Sequence, residues 1–320
     1  MRALVTGGAG FIGHHLVRAL LERGDEVSVI DDLSTGLRSR LVPFEGRISF
    51  VEGDIRDSAA MDRAIEGCSV VFHEAALPSV ARSVRDPRLS NEVNTSGTIE
   101  VMLAAARAGT RRVVLAGSSS VYGDSPQMPR IESQLPNPRS PYATSKLAAE
   151  FYVHTLGALH GVESVVLRYF NIFGPGQDPN SEYSAVIPLW ATAALRGERV
   201  TVHGDGTQSR DFTFIENVIS ANLLAATAPG ASGLTCNVGC GGRYSLLELL
   251  TAIGDGLGLH VEPSFAPPRP GDVPHSQADI TLASTRLGYR VLVPFAEGIE
   301  RTVRAYREQA EADTKSQEPR

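Results

Sequence analysis

Tyr142 and Lys146 stand four residues apart in Ser140-Pro141-Tyr142-Ala143-Thr144-Ser145-Lys146, and Ser118 opens the triplet Ser118-Ser119-Ser120 upstream. On a helix that spacing puts the phenol and the ammonium on one face. The ammonium can then stabilise a phenolate and turn a weak acid into a base, while the Ser118 hydroxyl orients an alcohol beside it. Tyr-Lys pairs at this spacing also occur on solvated helices, so the pair alone says little. Its weight comes from Gly7-Gly8-Ala9-Gly10-Phe11-Ile12-Gly13, which follows Ala3-Leu4-Val5-Thr6 and opens an amphipathic run. A glycine turn in that setting cradles a pyrophosphate on backbone N–H groups. A dinucleotide and an activated tyrosine together remove hydride and proton from one alcohol. That chemistry is a reversible oxidation.

The first half of the chain alternates strand-like and helix-like runs that could hold these groups. The sequence predicts strands at Arg2–Thr6, Glu26–Ile30, Ile48–Glu52, Val70–His73, Arg112–Ala116 and Val165–Tyr169. It predicts helices at Phe11–Arg23, Ser58–Ile65, Leu89–Ala108 and Pro141–Leu159. Such alternation implies an α/β fold with a parallel sheet covered on both faces. Ser140-Pro141 is a good start for the Tyr142 helix, a capping hydroxyl followed by proline at the first helical position. Ser118 falls at the carboxyl end of its strand, where ligands bind in such sheets. Beyond residue 170 proline and glycine punctuate more often, as in Gly174-Pro175-Gly176 and from Pro263 to Gly271. The expected organisation is a Rossmann-type doubly wound parallel sheet over residues 1–170, with later segments returning to it. A smaller α/β C-terminal substrate-binding region covers 171–307, and a flexible charged tail 308–320.

Asp31 follows the second strand. A carboxylate there accepts hydrogen bonds from an adenosine ribose diol and repels a 2′-phosphate. No arginine follows immediately to receive such a phosphate, so NAD is favoured over NADP. Asp54, after the third strand, could meet the adenine amine. His73-Glu74-Ala75-Ala76 follows the fourth, where small residues let the backbone approach the cofactor, and His73 itself reads as structural. Lys146 would bond the nicotinamide ribose.

Apolar residues make up 42% and charged residues 21% of 320, an ordinary globular mix able to bury a sizeable core. The formal charge of −6 comes without a basic stripe, which argues against nucleic acid as a partner. No apolar run reaches bilayer-spanning length, and Met1 leads into a strand without a signal-peptide pattern, so a cytoplasmic location is expected. Cys68, Cys236 and Cys240 are odd in number and lack metal-ligand spacing. They read as buried or free thiols, and no metal site is expected.

Taken together, these motifs resemble the extended short-chain dehydrogenase/reductases, and within them the nucleotide-sugar 4-epimerases. The likeness is carried by the glycine turn, Asp31, Ser118 through Gly123, the Tyr142-Lys146 pair and Arg168-Tyr169-Phe170-Asn171, and it runs from Met1 to Arg304. Ser181 through Pro188, Gly204-Asp205-Gly206 with Ser209-Arg210-Asp211-Phe212, and Arg269-Pro270-Gly271-Asp272-Val273 resemble the subgroup acting on UDP-N-acetylhexosamines. The resemblance implies a cycle on a UDP-sugar. NAD takes hydride from C4 as Tyr142 takes the hydroxyl proton, the 4-keto sugar swings about its pyrophosphate link, and hydride returns to the other face. It also implies tightly bound NAD and a homodimer formed through a helix pair. The implied cofactor residues are Gly7, Gly10, Phe11, Ile12, Gly13, Asp31, Asp32, Ser34, Thr35, Gly36, Asp54, Ile55, Ala75, Ala76, Asn94, Tyr142, Lys146 and Tyr169. The implied substrate residues are Ser118, Ser119, Ser120, Tyr142, Asn171, Ala185, Val186, His203, Arg210, Arg269, Asp272 and Ser276. Two guanidiniums among them suit a diphosphate.

Departures from the related enzymes narrow the reading. Sugar 4,6-dehydratases carry an Asp-Glu pair after the strand, and UDP-uronate decarboxylases a Glu, where this chain has Ser119 and Ser120. An elimination therefore lacks its acid. Gly176-Gln177-Asp178 offers no basic group of the kind some UDP-uronate epimerases place nearby. The expected reaction is C4 epimerisation of UDP-GlcNAc and UDP-GalNAc, with UDP-Glc and UDP-Gal also accepted. Ser276 falls where family members set the width of the sugar pocket, and small residues there accompany acceptance of N-acetylated sugars. The alternatives are a UDP-uronic acid 4-epimerase, a dehydratase or decarboxylase of the same family, and a nucleotide-sugar-binding regulator. A broken Ser118, Tyr142 and Lys146 set would mark the last, and here the set is intact.

Overall fold

Runs such as Leu4-Val5-Thr6 and Val113-Val114-Leu115 are buried along their whole length, as strands covered from both sides must be. The computed structural model describes residues 1–179, 185–268 and 273–317, with side chains through residue 312. Its centre is a seven-stranded parallel sheet in the order β11-β6-β5-β4-β1-β2-β3. The strands are β1 (Arg2–Thr6), β2 (Glu26–Asp31), β3 (Ile48–Glu52), β4 (Val70–His73), β5 (Arg112–Ser118), β6 (Glu163–Tyr169) and β11 (Leu234–Val238). One face is covered by α1 (Phe11–Glu22) and α8 (Ile215–Thr227), whose Leu16, Val17, Val218 and Ala221 share a core. The other face carries α2 (Ser58–Ile65), α5 (Gly97–Arg107) and α6 (Pro141–His160), with Met61, Val101 and Val153 in a second core. The short helices α3 (Val80–Arg85) and α4 (Pro87–Asn91) lead into α5.

The second half adds two-stranded pairs over the carboxyl edge of the sheet: β7 (Ile172–Phe173) with β10 (Thr213–Phe214), β8 (Val200–His203) with β13 (Pro263–Ala266), and β9 (Ser209–Arg210) with β12 (Tyr244–Ser245). Around them pack α7 (Val186–Leu195), α9 (Leu246–Leu257), α10 (Thr281–Leu287) and α11 (Phe295–Gln317). Cys68 and Cys236 are buried free thiols and Cys240 is partly buried.

Three elements differ from the sequence expectation, each for a physical reason. The helix expected from Leu89 is widened by a π turn over Glu92–Ser96 before α5 begins. That wide turn lets Asn94 reach Leu77 and Ser145, and Thr95 reach the Ser145 carbonyl at 3.2 Å. The seventh strand, β11, carries a polar Asn237 that the sheet edge buries completely, so its alternation is weak in the sequence. The third is α11, a helix that the sequence reading did not include, which runs to Gln317 through Ala, Glu, Gln and Arg, strong helix formers even without an apolar face.

The strand order reverses at β1, which has β2 on one side and β4 on the other, and this opens a crevice at the carboxyl edge. Gly7 there has φ +69°, and a Cβ on it would stand 2.8 Å from the backbone of Ala75. A Cβ on Gly13 would meet the Gly7 carbonyl oxygen at 2.1 Å. We expect Gly13→Ala to force the turn away from α1, at a cost of about 1–3 kcal/mol or more. Urea denaturation checks this, and unchanged stability would mean that the turn yields without strain.

Candidate functional site

β5 ends at Ser118, which lies in register with Tyr169 on β6. Ser118 then caps the turn over Ser119–Tyr122: its Oγ accepts the Ser120 N–H at 3.2 Å and stands 2.8 Å from Ser120 Oγ. α6 starts beneath a Ser140 cap, whose Oγ accepts the Ala143 N–H at 3.1 Å, with Pro141 in its first turn. The start of α6 thus brings the Tyr142 phenol within electrostatic reach of the Ser118 hydroxyl. Burial pushes the Tyr142 phenol above its usual range, and the nearby Ser118 hydroxyl works against that rise. Lys146 is 4% exposed. Burial lowers its ammonium to about 8, while the carboxyls of Glu74 and Glu150 oppose the fall.

Two buried networks flank Lys146, and sequence reasoning assigned neither. On one side Glu150, one turn along α6, receives Arg168 Nη2 at 2.7 Å and Nε at 3.1 Å. Arg168 also donates to the Tyr122 hydroxyl, which donates to Asn237 Oδ1 at 2.6 Å. On the other side the Tyr169 hydroxyl donates to Glu74 Oε1 at 2.8 Å and accepts from Asn222 at 2.8 Å. Burial raises the Glu74 carboxyl to about 7. Glu150, four residues past Lys146 on the same face, was the one signal legible in the sequence. Glu74 and Asn222 gave none.

The cofactor candidates gather in the crevice beside β1. Gly7, Gly10, Asp31, Asp32, Ser34, Thr35, Asp54, Ile55, Ala75 and Ala76 line it together. Phe11, Ile12 and Gly13 form the first turn of α1, whose N-cap Gly10 offers no side-chain cap, so backbone N–H groups remain to receive an anion. Asp31 accepts the N–H groups of Ala9 and Leu33 at 2.9 Å each, so it braces the glycine turn and still has lone pairs for a diol. Gly36 is pressed against it, since a Cβ there would meet Asp31 Oδ1 at 2.7 Å. Asp54 binds Arg56 at 2.6 Å, and its carboxylate is held below the usual range by that bond. Asn94 is buried, with its amide bonded to Leu77 and Ser145, and so ties the crevice wall to α6. Glycine turn, open helix end and acidic diol acceptor fit a dinucleotide without a 2′-phosphate. His73 stays structural: it stands between Thr6 Oγ1 at 2.8 Å and Thr98 Oγ1 at 2.9 Å, with burial lowering its pKa to about 3.

Asn171, Ala185, Val186, His203 and Arg210 line one cavity of about 530 Å³ between α7 and the strand pairs. Asn171 donates to the Asp211 carbonyl and to Ser276 Oγ, both at 3.1 Å, so Ser276 bonds a residue that lines this cavity. Arg210 donates to the carbonyls of Ser209 and Pro274 at 3.0 Å. Asp211, assigned no role from the sequence, is fully buried and accepts the N–H groups of Cys240, Gly241 and Ala278. Ser119 and Ser120 remain half-buried beside Ser118. Arg269 and Asp272, and the quoted residues Ser181 to Ser184, lie outside the described residues.

A parallel sheet with a dinucleotide crevice at its reversal and a serine, a tyrosine and a lysine over its carboxyl edge defines an enzyme of the short-chain dehydrogenase/reductase type. The chain belongs to the NAD dependent epimerase/dehydratase family, whose model matches residues 3–239, and its cofactor is NAD. It is 40% identical to a UDP-glucose 4-epimerase of Mycolicibacterium smegmatis over 97% of this chain and 100% of the relative. It superposes on the UDP-glucose 4-epimerase of Thermotoga maritima, solved with UDP-glucose, with a TM-score of 0.93 at 35% identity, over 97% and 100% of the two chains. The UDP-N-acetylglucosamine 4-epimerase of Methanobrevibacter ruminantium, solved with UDP-N-acetylmuramic acid, gives 0.91 at 36%, over 96% and 98%. No described helix is long and apolar enough to cross a membrane.

The Glu150–Arg168 pair yields a stability prediction. Glu150→Ala leaves the Arg168 guanidinium buried without its carboxylate and should cost about 3–5 kcal/mol. Chemical denaturation measures it, and a loss near zero would show that Arg168 finds solvent.

Proposed function

We propose that this protein interconverts the C4 epimers of UDP-sugars, UDP-GlcNAc and UDP-GalNAc foremost and the plain hexoses as well, with tightly held NAD. The observation that carries the reading is the intact Ser118, Tyr142 and Lys146 set, with serines at 119 and 120 where an elimination would need acids. When bound, NAD supplies the acceptor and donor of the C4 hydride. Tyr142 takes the hydroxyl proton, and Ser118 holds that hydroxyl while passing hydrogen-bond polarity to the phenol. Because burial alone pushes the phenol upward, the base depends on positive charge nearby, and Lys146 is the side chain suited to provide it. Arg210 and Arg269 are assigned to the diphosphate, Asp272, Asn171, His203 and the backbone at Ala185 and Val186 to the rest of the UDP. The residues of the glycine turn, Asp31, Asp32, Ser34, Thr35 and Asp54 are assigned to NAD. A homodimer through α6 is supported by the exposure of its Phe151 at 62% and Leu159 at 73%.

Tyr142→Phe is expected to lose on the order of 10²–10⁴ in kcat while UDP affinity stays near wild type. Steady-state rates with UDP binding by calorimetry test this, and wild-type turnover in the variant would remove Tyr142 from the role of base. The sugar range rests on Ser276, which bonds Asn171 at the cavity. Ser276→Tyr should suppress kcat/KM for the N-acetylated pair more than for UDP-Glc and UDP-Gal. An equal loss on both pairs, or a wild type blind to N-acetylated sugars, would sink that assignment. Mass spectrometry of the product separates epimerisation, which leaves mass unchanged, from dehydration or decarboxylation.

A further inference from the structure

Glu74 is a buried carboxyl that the reaction above does not use. It follows β4 and lines the crevice with Gly7, Ala75 and Ala76, yet its side chain does not turn toward the adenine end where Asp31 and Asp54 lie. It reaches across the end of β5 to the Tyr169 hydroxyl, and Tyr169 is the register partner of Ser118. Asn222 on α8 donates to that same hydroxyl, so the chain of donors runs from Asn222 through Tyr169 and ends on Glu74 Oε1. The second oxygen, Oε2, is buried and has no partner among the described residues. A carboxyl so placed is expensive unless a cation faces it. Lys146 faces it from α6 and is within electrostatic reach.

We propose that Glu74 is a positioning residue that acts through charge, its carboxylate favouring the oxidised, cationic nicotinamide over the neutral reduced one at the reacting end of the crevice. This rests on the reading that NAD occupies that crevice. With NAD bound there, Lys146 and the oxidised ring would bring two positive charges together, and one negative charge fixed by Tyr169 and Asn222 would offset part of their repulsion. Reduction of the ring would remove one of the positive charges and leave the same carboxylate less to stabilise. Glu74 thereby favours return of hydride to the sugar over release of a half-finished ketone. Its carboxyl is engaged by the Tyr169 hydroxyl, so it is assigned no part in the proton transfer of Tyr142.

The titrating groups around Glu74 make the idea separable from a purely structural role. His73 on β4 stays neutral, with its pKa lowered to about 3 by burial and by Lys146. Tyr169 on β6 is pushed well above its usual value by burial and by Glu74 itself. Lys146 on α6 is lowered by burial, with Glu150 beyond it. Asn222 on α8 carries no charge. Glu74, at about 7, and Lys146, at about 8, both change ionisation near neutral pH, so the comparison of a Glu74 variant with wild type at each pH isolates the carboxylate. Its charge is present well above that value and absent well below it.

The test uses the purified full chain with its own NAD, treated with sodium cyanoborohydride in the presence of UDP. The hydride adds to the nicotinamide ring, and the near-ultraviolet absorbance of the reduced cofactor reports the rate. Well above pH 7, Glu74→Gln should be reduced about tenfold faster than wild type, because a negative charge near the ring has gone. Well below pH 7 the two rates should converge, since a protonated glutamate and a glutamine carry the same charge. A merely structural role would give no such convergence. Equal rates throughout, or a constant ratio at all pH values, overturn the proposal. Glu74→Leu must show the same acceleration and serves if the glutamine variant does not fold. Wild-type protein that releases no NAD on denaturation overturns the cofactor reading instead, whereas NAD present with equal rates overturns only the role of Glu74.

Discussion

Lys146 carries an ammonium into a place where it is 4% exposed, and the carboxyl edge of the sheet is built around that charge. A buried ammonium without carboxylates nearby gives up its proton. Glu150 supplies one on the same helix, and Glu150 in turn requires Arg168, which β6 delivers from beneath. Arg168 lies over the Tyr122 ring, 4.9 Å from its centroid, and bonds its hydroxyl. Tyr122 reaches Asn237 on β11, whose amide donates to the Arg130 carbonyl. One charge in α6 therefore fixes the neighbouring strand, the edge strand and the loop that follows Ser118. Glu74, Tyr169 and Asn222 extend the same logic to the opposite face of the sheet.

The crevice beside this charge is built mainly from backbone. The β1 and β4 turns come so close that a side chain at Gly7 would overlap Ala75, and His73 spans the gap beneath by bonding Thr6 and Thr98. Bringing backbone to a pyrophosphate in this way needs glycine and alanine, because any larger residue would fill the space meant for the ligand. Asp31 contributes twice, by holding the Ala9 and Leu33 N–H groups and by leaving lone pairs toward the cleft.

The second half holds its loops by a different device. Asp211 is a buried carboxylate that accepts three backbone N–H groups from two separate segments, and burial still raises it to about 6. That single side chain ties the residues after β11 to the segment running from Ser276 to Ala278. Asn171, in the left-handed region at φ +33°, turns its amide onto the Asp211 carbonyl and Ser276. The cavity wall is thus set from below by a carboxylate that never faces it.

Strands β1 to β6, the helices α1, α2 and α6, the run that holds α5, and Ser118, Tyr142, Lys146 and Asp31 as candidates were readable from the chain. Each depends on local pattern: apolar runs, glycine spacing, a serine-proline helix start, a four-residue repeat on one helix face. α11 was not read from the chain, because its charges suggest solvation while its residue types favour helix. What the sequence did not disclose is which polar residues meet. Glu74 meets Tyr169 across ninety-five residues of chain, Tyr169 meets Asn222, and Asp211 meets Cys240 and Ala278. Such contacts have no period and no spacing. They exist because the parallel sheet brings the ends of β4, β5 and β6 side by side, and burial there forces every charge to find a partner that only the folded chain can supply.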